Sequence, residues 1–437
     1  MSRTGPKASD SGSCSPCRSR RLRWRLRFRW GAGMLGAMQQ RCGCSQDQVS
    51  YQSTVEIIRQ FCGRDQRMKM RAARLHEVAT PFRLDEVEVP RPQGDDVLVR
   101  VRSCGVVPNL RNVTYHYPEW FPFLPLPPLP AIFGLDPVGV VEALGPDVAP
   151  GGLQVGQRVY VNPLRSCDEC DHCAAGRKTL CLDQTMAGYF GLSKRSNEIY
   201  ARYPWGGFAD YMIAPVDAMV TLPDNVSDED GARWGYLGTC YGALRKARVG
   251  PGTTLLINGG TGTLGVGTAL IALAMGVPRI IAVARTQALL ERVKALAPDR
   301  IEIVNATEGN VPERVMAING GKGIDAVVDC LAAGAESQAM LDALMSLGKG
   351  GRLVVIGGMD KTMNIFPIHL MNWQIAFMGS CWFTSAEAQE MTALAESGAL
   401  DLSAFEHKVF ALEQVNDAVE AASHRSGGGF ENIVVRI

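Results

Sequence analysis

No stretch of about 18 or more uninterrupted apolar residues occurs in this chain, so the sequence predicts no membrane-spanning helix. A surplus of one charge is also missing. The 45 Lys/Arg and 44 Asp/Glu leave a net charge of +1, which excludes a general attraction to nucleic acid or to an anionic membrane surface. A disulfide framework is lacking past residue 67: Cys104, Cys240, Cys330 and Cys381 are isolated, which points to a reducing, cytoplasmic compartment. No internal repeat occurs, so a solenoid is excluded. What remains is a 437-residue chain, 46% hydrophobic and 20% charged, as expected of a soluble globular protein with two or three domains.

The near-neutral total hides an asymmetric start. Residues 1–67 hold thirteen Lys/Arg against four Asp/Glu, and Arg18–Trp30 alternates arginine with apolar residues. A targeting segment, a nucleic-acid arm and a membrane-surface stretch are all compatible with that pattern. The simpler expectation is a basic, disordered extension ahead of a patterned domain that opens at Met68 or Met70.

Cys167, Cys170, Cys173 and Cys181 follow the spacing C-x2-C-x2-C-x7-C inside a polar loop. Four thiolates on so short a loop suit a tetrahedral Zn²⁺ site. Four protein sulfurs leave no position open to substrate, so the ion would be structural. An iron–sulfur cluster also takes four cysteines, but the run lacks the Cys-Pro ending of bacterial ferredoxins. A reduced, merely cysteine-rich loop is the remaining reading.

Periodicity divides the rest. Between residues 68 and 220, short alternating runs such as Asp96–Ser103 and Val138–Leu144 are separated by Gly/Pro turns, which predicts a β-rich domain. Asn112–Trp120 and the Pro-rich Pro122–Pro130 are expected to be loop. From residue 221 to 383 strands alternate with helices, which predicts a doubly wound parallel sheet, and 384–437 adds helices and a terminal strand.

Gly260-Thr261-Gly262-Thr263-Leu264-Gly265 is a G-x-G-x-x-G run directly after an apolar strand and at a helix start. In that context the glycines provide a tight turn, close approach to a pyrophosphate and close helix–strand packing. The second strand ends in Ala284-Arg285-Thr286, with no acidic residue for a ribose hydroxyl. Arg285 is placed to pair with a 2′-phosphate, so NADP(H) is expected over NAD.

Together, the cysteine loop, the glycine run and Val155-Gly156-Gln157-Arg158-Val159 resemble the medium-chain dehydrogenase/reductase superfamily, nearest to its zinc-type alcohol dehydrogenases. The resemblance covers about residues 70–437. It implies an α/β fold: a GroES-like β-rich catalytic domain, a doubly wound Rossmann domain, and a C-terminal return to the first. It also implies hydride chemistry on a small-molecule substrate and a homodimer or homotetramer. Three expected catalytic-zinc ligands are replaced, by Val107 where a thiolate belongs, by Leu135 in Gly134-Leu135-Asp136, and near Gly235. Asn109 takes the place of a proton-relaying hydroxyl. Cys104, Asp136 and Cys240 are groups able in principle to rebuild a metal site, although Cys104, on a strand next to Gly105, is expected to point elsewhere.

Without that zinc, hydride transfer to an already polarised C=C or C=O is the expected chemistry. Asn109 is expected to orient a carbonyl, and Tyr115 or His116 to donate a proton. Tyr117, Trp120, Phe121, Phe123, Trp382 and Phe383 are expected to line an apolar cleft. The alternatives are an alcohol dehydrogenase with a displaced metal site and a non-catalytic dinucleotide-binding protein.

Overall fold

The computed structural model describes residues 68–437; the basic extension expected at 1–67 lies outside the described residues. Strand Asp96–Gly105 is the hub of the β-rich part. It pairs antiparallel with Asp136–Leu144, with Tyr211–Pro215 at its start and with Glu431–Arg436 at its end. Period-two alternation sets its faces: Val97, Val99 and Val101 join Val141, Val159 and Val161 in one apolar cluster, while Leu98 packs with Tyr203 and Ile213. Strands Arg158–Val161 and Met219–Thr221 extend this sheet on one side. On the other side Glu406–Ala411 pairs in parallel with Glu431–Arg436. The chain end thus returns to the first sheet, and Glu406–Ala411 is a strand where only helix was expected.

Six parallel strands make the second sheet, in the order Ile301–Asn305, Arg279–Ala284, Thr254–Asn258, Ile324–Asp329, Leu347–Val355, Ala376–Gly379. Numbered along the chain this is 3-2-1-4-5-6, the doubly wound dinucleotide-binding order. Thr254–Asn258 is buried on both faces, as a central parallel strand must be when helices cover both sides.

One core runs through both parts. Val138, Tyr160 and Val434 of the first sheet share an apolar cluster with Trp234, Leu255, Ile257 and Phe383. Phe383 is fully buried, and a Cβ on Gly238 would lie 2.6 Å from its ring carbons. It therefore plugs the core rather than lining a cleft, which corrects the expectation for this residue. Its neighbour Trp382 stacks on it and donates from Nε1 to Asn162 Oδ1 at 2.8 Å.

The segment expected as loop before the Pro-rich stretch is instead the helix Leu110–Trp120. Pro118 lies inside it and cannot donate to Thr114 four residues back. The released Thr114 carbonyl accepts from the Ala79 N–H at 3.0 Å, so no backbone group is stranded. Pro122–Pro130 carries no helix or strand, as expected. Among the described residues no helix is long and apolar enough to cross a membrane.

Candidate active site

The glycine run closes strand Thr254–Asn258 and opens helix Thr263–Ala274, with Gly262 at the N-cap. A Cβ on Gly265 would sit 2.3 Å from Gly259 O, so only glycine lets this helix approach the turn. A Cβ on Gly262 would meet nothing closer than Gly259 O at 3.5 Å, which leaves the helix start open on that side. The unpaired N–H groups of Thr263, Leu264 and Gly265 and the positive end of the helix dipole suit a pyrophosphate there.

Two arginines reinforce that field. Arg425 donates to Thr263 Oγ1 at 2.7 Å, and Arg233 donates to Gly429 O at 2.8 Å. Gly429 in turn donates its N–H to Thr261 O at 2.9 Å, tying the C-terminal Ser-Gly-Gly-Gly turn to the glycine run. Arg233 is buried between the rings of Tyr236 and Phe405, and its Nε has no partner. Burial, then the nearby Arg425, depress its pKa to about 10. Arg285 is exposed at the end of strand Arg279–Ala284.

Where a catalytic metal belongs by resemblance, the chain places a packed contact. Val107 and Leu135 are buried in an apolar cluster with Phe133, Tyr189 and Phe208. Gly235 lies against Asp136: a Cβ there would be 1.9 Å from Asp136 Oδ1, so no cysteine fits without moving that carboxyl. Asp136 is buried and accepts from the Tyr160 hydroxyl at 3.0 Å and from the Gly235 N–H. Burial raises its pKa to about 7, against the opposing pull of the Tyr160 hydrogen bond and of Arg233. Cys104 packs on Gly134 and Gly207, whereas Cys240 reaches the carbonyl of Leu264 at 3.2 Å. Among the described residues they do not come together with Asp136 as a three-donor metal group.

Beside Asp136 lie two tyrosines that motif spacing does not reveal. Tyr189, just past the cysteine loop, is buried within electrostatic reach of Tyr236 and Asp136, with its hydroxyl beside the Asn109 side chain. Burial pushes both phenols well up, so each stays protonated. Asn109 also accepts from Asn112 Nδ2 at 2.9 Å. Tyr115 and His116 do not join this group. Helix periodicity gives the buried face to Leu110, Val113, Thr114 and Tyr117. Tyr115 is left under the Arg111 guanidinium, and His116 stacks on Trp120 and faces Glu119 at 3.8 Å. The proton-donor role expected of them finds no support in that geometry. Tyr117 stacks on Phe190 and donates to Gly191 O, while Trp120, Phe121 and Phe123 are exposed.

The four cysteines converge. Their sulfurs all lie within 4.8 Å of one another, with pairs at 3.5, 3.6 and 4.0 Å. A tetrahedron with Zn–S bonds of about 2.3 Å has edges of about 3.8 Å, so this set fits the ion. The N–H groups of Cys167 and Asp183 both point at Cys181 Sγ at 3.3 Å, as supports for a metal-bound thiolate do.

A glycine-gated nucleotide helix, a β-rich partner and a four-thiolate loop that fits zinc define a two-part, nucleotide-binding fold. Residues 93–224 match the alcohol dehydrogenase GroES-like domain and residues 263–397 the zinc-binding dehydrogenase domain. An alcohol dehydrogenase of Geobacillus stearothermophilus is 32% identical over 354 residues, which span 80% of this chain and 95% of that one. An NAD-dependent alcohol dehydrogenase of Sulfurisphaera tokodaii is 28% identical, over 80% of this chain and 96% of that one. In fold, the chain superposes on a putative zinc-binding dehydrogenase of Sinorhizobium meliloti bound to NADP, with TM-score 0.70 and 23% identity, over 85% of this chain and all of that one. The protein belongs to the medium-chain dehydrogenase/reductase superfamily, as a zinc-type alcohol dehydrogenase-like oxidoreductase.

A pH prediction follows from Asp136. Its folded pKa lies above its ordinary 3.8, so the folded state binds the extra proton and stability falls as pH rises from 3.8 to about 7. The slope is at most about 1.4 kcal/mol per pH unit. Asp136→Asn should flatten the stability profile between those limits. Urea denaturation from pH 5 to 8 checks this, and an unchanged slope in the variant would refute it.

Proposed function

We propose that this protein is an NADP(H)-dependent reductase that transfers hydride to a polarised C=C or C=O of a small apolar substrate without a catalytic zinc. The contact between Asp136 and Gly235 carries the reading. It occupies the ground where a third ligand would stand, and the positions of the other two are held by Val107 and Leu135. Side chains without donor atoms do not fit a catalytic ion, so no step is assigned to one. Simple alcohols, which gain most from a Lewis acid, are then poor substrates; enones and quinones, polarised in themselves, need less help.

Bound at the glycine run, the reduced nicotinamide cofactor supplies the hydride. The chain's own groups do the rest. The open helix start, with Arg425 and Arg233 near it, holds the phosphates, and exposed Arg285 pairs with the 2′-phosphate. Tyr189, kept as a phenol by burial, donates its proton or a hydrogen bond to the oxygen that gains negative charge. Asn109 orients the Tyr189 hydroxyl, which keeps the carbonyl-side role expected of Asn109 while moving the proton donor off Tyr115 and His116.

The zinc in this reading is a single structural ion on Cys167, Cys170, Cys173 and Cys181. The expected partner is a second copy of the chain, giving a homodimer or homotetramer. Support comes from the sheet edge: Ala376–Gly379 ends the six-stranded sheet with Phe377 exposed, and Phe366 and Met371 are exposed just before it. Uncovered strand edges beside apolar side chains are poorly tolerated in water. Light scattering should give two or four chain masses, and a monomer would remove this part of the proposal.

Steady-state assays on a panel of enones, quinones, aldehydes and secondary alcohols test the reaction. NADPH-dependent reduction of an enone or quinone should exceed any alcohol oxidation. Tyr189→Phe should lower kcat by about 10²-fold or more, the loss of one general acid. Arg285→Ala should raise KM for NADPH by about tenfold while leaving NADH unchanged. Vigorous NAD-linked oxidation of plain alcohols would instead support a displaced-metal dehydrogenase.

A further inference from the structure

Trp382 holds a backbone conformation that its side chain does not favour. Its φ is 61°, and a bulky residue in that region is a costly exception. Such a conformation persists only where the surroundings fix it, and it directs attention to function. The fixing group is Asn162, 1% exposed, which follows strand Arg158–Val161 of the first sheet. Asn162 Oδ1 accepts from Trp382 Nε1 at 2.8 Å and from the Leu164 N–H at 3.1 Å. Its Nδ2 donates to Phe383 O at 3.3 Å and to Ser385 Oγ at 3.4 Å. With both ends of the amide committed, the indole cannot turn without breaking the clamp. One face of the indole rests on Phe383, with ring centres 5.0 Å apart, and the residue is only half-buried.

The topology of the second sheet places this residue. In a sheet of this order the dinucleotide lies across the carboxyl ends of the strands, where the order reverses between the first strand and the fourth. Arg285 follows the second strand and the glycine run follows the first. The adenosine half therefore takes that side, and the nicotinamide half lies toward the fourth to sixth strands. Trp382 comes just after Gly379, the end of the sixth strand. It packs against two apolar clusters, one holding Leu255 and Ile257 of the nucleotide-binding sheet, the other holding Val107, Leu135 and Tyr189. The indole thus stands between the nicotinamide end of the crevice and the phenol assigned above as proton donor. We propose that Trp382 is a specificity-determining residue of the acceptor site, a flat wall that selects planar, aryl-conjugated enones and quinones over alkyl ones. Ring-on-ring stacking rewards a flat partner, whereas an alkyl chain gains only contact area. The inference rests on the hydride-transfer reading and names the acceptor class within it.

Steady-state NADPH oxidation by the full chain tests this, with benzylideneacetone and with its analogue that carries a pentyl chain in place of the phenyl ring. The wild-type chain should show the lower KM for benzylideneacetone. Trp382→Leu should lower kcat/KM for benzylideneacetone by about tenfold more than for the pentyl analogue, with KM for NADPH unmoved. Trp382→Phe keeps a ring and should restore most of the preference. If the leucine variant does not fold, emission serves in its place: benzylideneacetone should quench tryptophan emission of the NADP-loaded wild-type chain, and Trp382→Phe should remove most of that quench. An unchanged preference in Trp382→Leu, or a quench that survives in Trp382→Phe, would overturn the proposal. If both enones are reduced and the leucine variant loses no preference, only this proposal falls; if neither enone is reduced, the hydride-transfer reading falls with it.

Discussion

A carboxyl oxygen pressed against the backbone of a glycine organises the centre of this molecule. Asp136 opens a strand of the first sheet, and Gly235 lies in the first turn of a helix that packs on the nucleotide-binding half. Any side chain at Gly235 would collide with Asp136. Tyr160 and the Gly235 N–H both hydrogen-bond the carboxyl and offset part of the cost of its burial, which still raises its pKa to about 7. Val107 and Leu135, at the other two positions, are buried with Phe133 in an apolar cluster. A second constraint depends on the first. Arg233, two residues before Gly235, is carried to the C-terminal glycine turn that braces the nucleotide loop. One helix start therefore links the altered chemical centre to the cofactor site.

Most of the fold was legible because it rests on local periodicity and spacing. The six strands of the second sheet follow from alternating apolar runs, and the glycine run from its place between strand and helix. The cysteine quartet needed only its gaps. Failures came where a local rule met a tertiary remedy. Pro118 reads as a helix breaker, yet Ala79 takes over the carbonyl it releases, and the segment is helical. That change of state leaves Tyr115 and His116 off the helix's buried face, since a helix buries every third or fourth residue and theirs is the wrong phase. Tyr189 and Tyr236 were invisible for the opposite reason. They lie 47 residues apart in the chain, in no motif, and come within electrostatic reach of Asp136 only in the folded state.

The two metal positions of this family illustrate how differently a loop and a cleft age. A structural ion needs four sulfurs on one short segment, and this chain holds them within 4.8 Å of one another. A catalytic ion needs donors from three distant segments, and each of those positions carries a side chain without a donor atom. In the proposed reading, the missing second set costs the Lewis acid and leaves the fold and the glycine-run helix start in place. The chemistry we propose for it is hydride transfer to groups already polarised, with the buried Tyr189 phenol in place of a metal-bound proton relay.

Metal content measured together with turnover tests this account most directly. Purified protein should contain one zinc per chain, and Cys181→Ser should release it with loss of thermal stability. Reductase turnover of the wild-type chain should survive brief treatment with a chelator that leaves the thiolate-bound ion in place. Two zinc ions per chain, with one retained in the Cys181→Ser variant and required for turnover, would contradict it.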